Sequence, residues 1–345
     1  MTFLSSSKYG FPKPQRKAVA KSNQAKKIAL PTNNRPYSCC GHYIPSFLDG
    51  VGDYGFEVTS TNFKFGPGVI KEIGFDAKVL GIDKKRIALF TDPVVRKIEV
   101  TEQAVKALKD VGCTVDIFDE VRIEPTDKSF LHAAKYASEG KFDGIVSIGG
   151  GSVMDTAKAA NLYSTYPPKE FLDYVNPPIG KGMPVPGPLK PHIAVPSTSG
   201  TGSEATGFSI FKLTEMHAKT GIAHKNLRPD RAVIDSNITS SLPSQVIAAS
   251  GFDVLSHALE SYTARPYTKR IAGFKFGTQR PQNQGANPYS DFGCLEALRI
   301  MQLYFIRAVN DPNDFEAREQ MLFASTLAGS AMGSAGVHVP HGCVS

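Results

Sequence analysis

At 345 residues, 41% hydrophobic and 21% charged with ordinary Gly and Pro usage, the chain can fill two globular cores, which excludes collagen-like and disordered classes. No apolar stretch of about 18 residues offers a membrane span, and five cysteines without CxxC spacing build neither a disulfide framework nor a metal knuckle, which fits a reducing compartment. The net charge of +7 is concentrated at the start: eight basic and no acidic residues lie between Met1 and Leu48, and the rest carries 31 basic against 32 acidic residues, which removes the case for a nucleic-acid surface.

A basic, acid-free, Ser-containing segment at 1–48 reads as a mitochondrial transit peptide or, more plainly, a solvated disordered leader, with folding beginning near Tyr54. From there short β-branched runs alternate with helical stretches, the pattern of a parallel sheet with crossover helices. The strands expected are Ile87 to Thr91, Thr114 to Phe118, Gly144 to Ile148, His192 to Val195 and Ala232 to Ile234. Between them Thr101 to Asp110, Ser129 to Ser138 and Val153 to Tyr163 read as helices. Beyond Pro243 the apolar spacing turns helical over Gln245 to Tyr262, Phe292 to Ala308 and Phe315 to Met332, interrupted by a long loop from Gly273 to Pro288.

Gly149, Gly150, Gly151 and Ser152 follow an apolar strand and open a helix that continues to Asp155. Glycines let backbone approach a ligand, and the N–H groups of a helix start favour phosphate, so this is a pyrophosphate cradle; alone it is also an ordinary tight turn. It is not the GxGxxG fingerprint. A second loop, Ser197 to Glu204, follows the next strand; Ser197, Thr198 and Thr201 offer hydroxyls to the same nucleotide, or Thr201 or Ser203 simply caps a helix. Asp92 ends an earlier strand, where a carboxylate accepts from a ribose 2′-hydroxyl and repels a 2′-phosphate, which selects NAD over NADP.

Asp253 and His257 stand four apart on an expected helix, on one face one turn apart. Such a pair grips a divalent ion or is merely hydrogen-bonded, and His338 and His341 bring two further imidazoles. One oxygen and two or three nitrogens suit Fe(II) or Zn(II) with a position open for substrate.

Over residues 54 to 342 the chain resembles the iron-containing, group III alcohol dehydrogenases. The resemblance rests on Thr91-Asp92, Gly149 to Asp155, Pro196 to Glu204 and Gly251 to His257, four motifs in family order. It implies an α/β nucleotide-binding domain with a parallel sheet over 54–242, followed by an all-helical metal-binding domain over 243–345 that is C-terminally incomplete against the family. Asp173-Tyr174, Pro178 to Gly182, Leu189 to Pro191 and Arg280 to Asp291 make it most similar to the mitochondrial branch that passes hydride from a hydroxyacid to an oxoacid.

Carried over, the resemblance implies that Asp92, the 149–152 loop and Thr198 bind NAD and that Asp253, His257 and His341 hold the metal. The family continues past Ser345 with a further ligand histidine and more helices, so one ligand is expected to be missing unless His338 substitutes. Val339 to Gly342 also matches a later Pro-His-Gly step of the family. The substrates implied are 4-hydroxybutyrate and 2-oxoglutarate, giving succinate semialdehyde and 2-hydroxyglutarate in the mitochondrial matrix, with Arg265, Lys269 and Arg280 as candidates to meet their carboxylates. No side-chain nucleophile, nucleic acid or membrane is expected, and a homo-oligomer stays open. The alternatives are an ordinary NAD-dependent alcohol dehydrogenase of the family and a truncated, non-catalytic chain that keeps NAD binding.

Overall fold

The structure, a computed structural model, describes residues 55–270 and 280–344. The leader expected at 1–48 and the 273–279 part of the long loop lie outside the described residues.

Six strands form one parallel sheet: β1 (Asn62–Phe65), β2 (Arg86–Phe90), β3 (Thr114–Phe118), β4 (Gly144–Gly149), β5 (His192–Pro196) and β8 (Arg231–Ile234), in the order β1-β8-β5-β4-β2-β3. Two short strands, β6 (Phe208–Leu213) and β7 (Ala218–Ala223), make a separate antiparallel hairpin. The helices of this part are α1 (Ile73–Val79), α2 (Glu99–Asp110), α3 (Asp127–Gly140) and α4 (Gly151–Thr165).

The inner strands are buried along almost their whole length, and mostly apolar, because helices cover both faces of the sheet. Ile87 and Leu89 of β2 face a core shared with Ile73 of α1 and with Ala104 and Leu108 of α2. Ala88 and Phe90, one residue out of phase, face Ala133 of α3 and Ala157 of α4, as the alternation of strand side chains requires. Thr126 and Ser129 cap α3 reciprocally, satisfying N–H groups that a helix start leaves unpaired.

The second part holds α5 (Ser244–Thr263), α6 (Pro288–Asn310), α7 (Phe315–Ala335) and the short α8 (Val339–Val344). Ile247, Val254, Ala297, Met301, Met321 and Ala328 supply the core of α5, α6 and α7. α6 starts at Pro288, four residues before the expected Phe292, because Asn287 and Ser290 form a capping box with proline pre-set at the first helical position.

Glycines seat α7 against the second loop: a Cβ on Gly329 would lie 2.6 Å from the Cα of Gly202, and one on Gly202 would lie 2.5 Å from the Cα of Gly329. Gly202 also has φ +57, a conformation that L side chains rarely adopt. Arg318 of α7, buried, donates to the carbonyls of Thr239, Ser240 and Leu242 and so ties the helical part to the segment leaving β8.

Candidate active site

β4 and β5 are neighbours, with Gly149 in register with Pro196, so the loops that leave them lie side by side. The Ser197 N–H donates to the Gly149 carbonyl at 2.9 Å. Cβ atoms built on Gly150 and Gly151 would lie 3.3 and 2.6 Å from the Cγ2 atoms of Thr198 and Thr201. These glycines therefore let two loops meet, and no side chain caps the start of α4 at Gly150. Close backbone, an uncapped helix start and adjacent hydroxyls fit a pyrophosphate.

The other expected nucleotide residues are distributed around this cradle. Asp92 leaves β2 with Oδ1 accepting the N–H groups of Val94 and Val95 at 2.8 and 2.9 Å, while Oδ2 has no hydrogen bond among the described residues. Ser152 Oγ accepts from the Glu124 N–H at 3.3 Å, and Thr201 Oγ1 accepts from the Ser203 N–H, also at 3.3 Å; neither Thr201 nor Ser203 is a helix cap, because the short 3-10 helix Ser203–Ala205 has Gly202 at its N-cap and no side-chain cap. The Asp155 carboxylate turns inward, accepting from Ser203 Oγ at 2.7 Å and from the Ile210 N–H at 3.1 Å. Burial pushes its carboxyl up against the opposing charge of Lys158.

Lys158, one turn further along α4, carries no local sequence signal for its role. Its buried Nζ donates to the Ser203 carbonyl and hydroxyl at 2.7 and 2.6 Å and to the Phe208 carbonyl at 2.9 Å, clamping the second loop and the hairpin to α4. Burial pulls its ammonium down to about 8 despite Asp155 and Glu204.

The metal candidates converge from distant parts of the chain. Asp253 and His257 lie on α5 and His341 on α8, and their ligand atoms all fall within 4.8 Å of one another. Asp253 Oδ1 is 3.6 Å from His257 Nε2 and 3.4 Å from His341 Nε2, and the two rings stack with centroids 4.7 Å apart. One carboxylate and two imidazoles at this spacing are a donor set that fits a divalent ion. His338 takes another course: its ring meets Thr263 Oγ1 at 3.0 Å, outside the three-residue group.

The three groups shift one another's protonation. Burial raises the Asp253 carboxyl, but the hydrogen bond of His341 and the charges of both histidines outweigh it and leave it below the usual range. Burial, against the charge of Asp253, holds His257 below its ordinary value. His341 is raised, first by Asp253 and then, against burial, by Glu260.

Glu260 is the site residue that the sequence did not announce. Buried on α5, it sets Oε1 2.5 Å from His341 Nδ1 and accepts the His338 N–H on Oε2 at 2.7 Å. A carboxylate on the far ring nitrogen fixes a ligand histidine's tautomer and orientation.

The two half-sites touch. A Cβ on Gly200, in the second nucleotide loop, would lie 2.7 Å from Ser250 Cβ, one residue before Gly251 and close to one helical turn before Asp253.

The model of the iron-containing alcohol dehydrogenases matches residues 60–236, and the model of the C-terminal part of the Fe-containing alcohol dehydrogenase family matches residues 282–344. The chain belongs to the iron-containing alcohol dehydrogenase family. It is similar to the mitochondrial hydroxyacid-oxoacid transhydrogenases of Mus musculus and Homo sapiens, each 47% identical over 92% and 90% of this chain. The chain spans 67% and 66% of the length of those two relatives.

Among solved structures of the family, a 1,3-propanediol oxidoreductase superposes with a TM-score of 0.70 at 28% identity, covering 82% of this chain and 67% of its own. A sulfoacetaldehyde reductase from Bifidobacterium kashiwanohense in complex with NAD+ gives 0.68 at 26% identity, covering 84% of this chain and 70% of its own. Membership implies NAD and a metal ion, which the cradle and the three donors fit. No helix among the described residues is long and apolar enough to cross a membrane.

Proposed function

We propose that this chain transfers hydride from 4-hydroxybutyrate to 2-oxoglutarate, giving succinate semialdehyde and 2-hydroxyglutarate, with NAD retained between the half-reactions, in the mitochondrial matrix. Relatives at 47% identity that carry the name hydroxyacid-oxoacid transhydrogenase, mitochondrial, support the reaction class and compartment. The observation that carries the site is the packing of Gly200 on Ser250, which brings the nucleotide loop to the helix of the metal donors.

In this reading Asp253, His257 and His341 hold Fe(II) or Zn(II), and Glu260 keeps the His341 ring aimed. Gly150, Gly151 and Thr198 receive the pyrophosphate and Asp92 the ribose. When bound, the metal supplies Lewis acidity at the substrate oxygen and the nicotinamide a hydride acceptor. One hydride and one proton leave the hydroxyacid and arrive on the oxoacid, so the overall reaction needs no outside oxidant.

The test uses the full chain loaded with Fe(II) or Zn(II), C4-deuterated 4-hydroxybutyrate, 2-oxoglutarate and no added nicotinamide. Deuterium in 2-hydroxyglutarate by mass spectrometry is the expected result. Turnover that requires added NAD and proceeds without oxoacid favours the ordinary dehydrogenase reading, which the family's alcohol dehydrogenase structures support. No label with NAD present, together with NAD binding but no stoichiometric metal, overturns the catalytic reading.

A further inference from the structure

Lys158 lies on α4 seven residues after Gly151, about 10 Å along the helix from the start that faces the pyrophosphate. It stands behind the nucleotide cradle rather than in it. Its buried ammonium ends among oxygens of the second loop and the hairpin. Three of them, the Ser203 carbonyl and hydroxyl and the Phe208 carbonyl, lie within 2.9 Å, and the Thr206 hydroxyl lies at 3.5 Å.

The donor count closes only for the charged form. An ammonium has three N–H groups for the three near oxygens, and the Ser203 hydroxyl gives its own hydrogen to Asp155 at 2.7 Å. A neutral amine has two, so losing the proton leaves one buried acceptor unpaired.

The clamp reaches the cradle in short steps. Thr201 Oγ1 accepts the Ser203 N–H, and a Cβ on Gly151 would lie 2.6 Å from Thr201 Cγ2. On the other side the buried Glu204 accepts from Thr326 Oγ1 of α7 at 2.8 Å. The segment carrying Thr198 and Thr201 is thus held between α4 and α7.

Burial pulls the Lys158 ammonium down to about 8, against the charges of Asp155 on α4 and Glu204 in the loop and together with that of Arg228. His192 of β5, coupled to the same charge, is held neutral by its own burial. Lys190, Lys225 and Asp230 line, with Lys158, one cavity of about 300 Å³.

We infer that Lys158 is a positioning residue for the nucleotide: its ammonium holds the 197–204 loop in the form that receives NAD, and NAD affinity falls as that ammonium loses its proton. The inference rests on the assignment of this loop to NAD in the proposed function.

The test is calorimetric titration of the metal-free full chain with NAD at pH 7, 8 and 9, in the parent and in Lys158→Met, Ser203→Ala and Thr198→Val. With half of the ammonium lost near pH 8, the parent dissociation constant is expected to rise about tenfold from pH 7 to 9. Lys158→Met should bind weakly at every pH. Ser203→Ala leaves two carbonyls for the two donors of a neutral amine, so its profile should flatten, which decides the matter even where Lys158→Met does not fold. A flat parent profile overturns the inference, and so does a parental slope in either folded variant, because the slope then belongs to another group. Thr198→Val tests the underlying assignment. Weakened binding there beside a flat parent profile removes only the role of Lys158, whereas parental affinity there, or no NAD binding by the parent, removes the loop from the NAD site and the inference with it.

Discussion

Nδ1 of His341 and Oε1 of Glu260 lie 2.5 Å apart although the residues are 81 positions distant in the chain, and the second carboxylate oxygen takes the His338 N–H. One buried side chain thus fixes both the ring of a candidate metal donor and the turn that delivers it. Glu260→Gln keeps the shape and removes the charge. Its divalent-ion affinity is expected to fall about 10- to 100-fold, the usual cost of losing such a partner, with the far-ultraviolet circular dichroism unchanged. Chelator competition measures it, and parental affinity in the variant would reduce Glu260 to a support of the turn.

Gly151 makes a sharper steric prediction. An added Cβ would lie 2.6 Å from Thr201 Cγ2 and 3.0 Å from Thr201 Oγ1, so one loop must shift. Alanine is the better helix former by up to about 1 kcal/mol, whereas overpacking costs about 1 to 3 kcal/mol. Gly151→Ala is therefore expected to destabilise modestly and to weaken NAD binding clearly. Adding Thr201→Ser removes the nearest methyl and should restore part of both. Thermal melts and NAD titration of the single and double variants decide it; no rescue would mean the loops do not meet as described.

His192 gives a pH dependence away from the metal. Its ring is buried, with Nε2 2.8 Å from Ser147 Oγ, and burial first, then the charge of Lys158, push it down to about 3 from 6.5. Between those values the unfolded chain binds a proton that the folded chain refuses. The stabilising contribution of the neutral ring is thus full above pH 6.5 and is lost as pH falls from 6.5 toward 3. Replacing His192 by Asn is expected to flatten the stability profile in this window by up to about 1.4 kcal/mol per pH unit, read by urea unfolding from pH 7 to 4. An unchanged slope would mean that His192 already titrates normally when folded.

The sequence reveals most where burial is two-sided or spacing is local. β2, β4, β5 and β8 were legible because covered strands are apolar runs, and Asp253 with His257 because four residues make one helical turn. β1, Asn62–Phe65, escaped because an edge strand exposing Asn62 and Phe63 carries no apolar run. The hairpin escaped for a related reason: Ala218–Ala223 has Ala, Lys and Gly where strand formers are expected.

At the site, His338 and His341 are equivalent as residue types. Their roles separate only through the path after Gly336, whose φ is +88, and the return of α8 onto α5. Glu260 and Lys158 gain meaning only from partners that folding brings to them.

The metal site lends itself to a stability test because its donors come from α5 and α8, so a bound ion links two distant segments of the folded chain and none of the unfolded one. An ion at about 100 times its dissociation constant should add about 2.7 kcal/mol. Asp253→Asn is nearly isosteric and partly exposed, so the metal-free protein should melt close to the parent while the metal-dependent gain largely disappears. His257→Ala differs in kind. The buried ring leaves a cavity, so the metal-free protein itself should lose on the order of 1 to 3 kcal/mol, and the metal gain should vanish as well. Paired melts with chelator and with Zn(II) separate the two effects. An undiminished Zn(II) gain in both variants would place the ion elsewhere and remove the three-donor assignment.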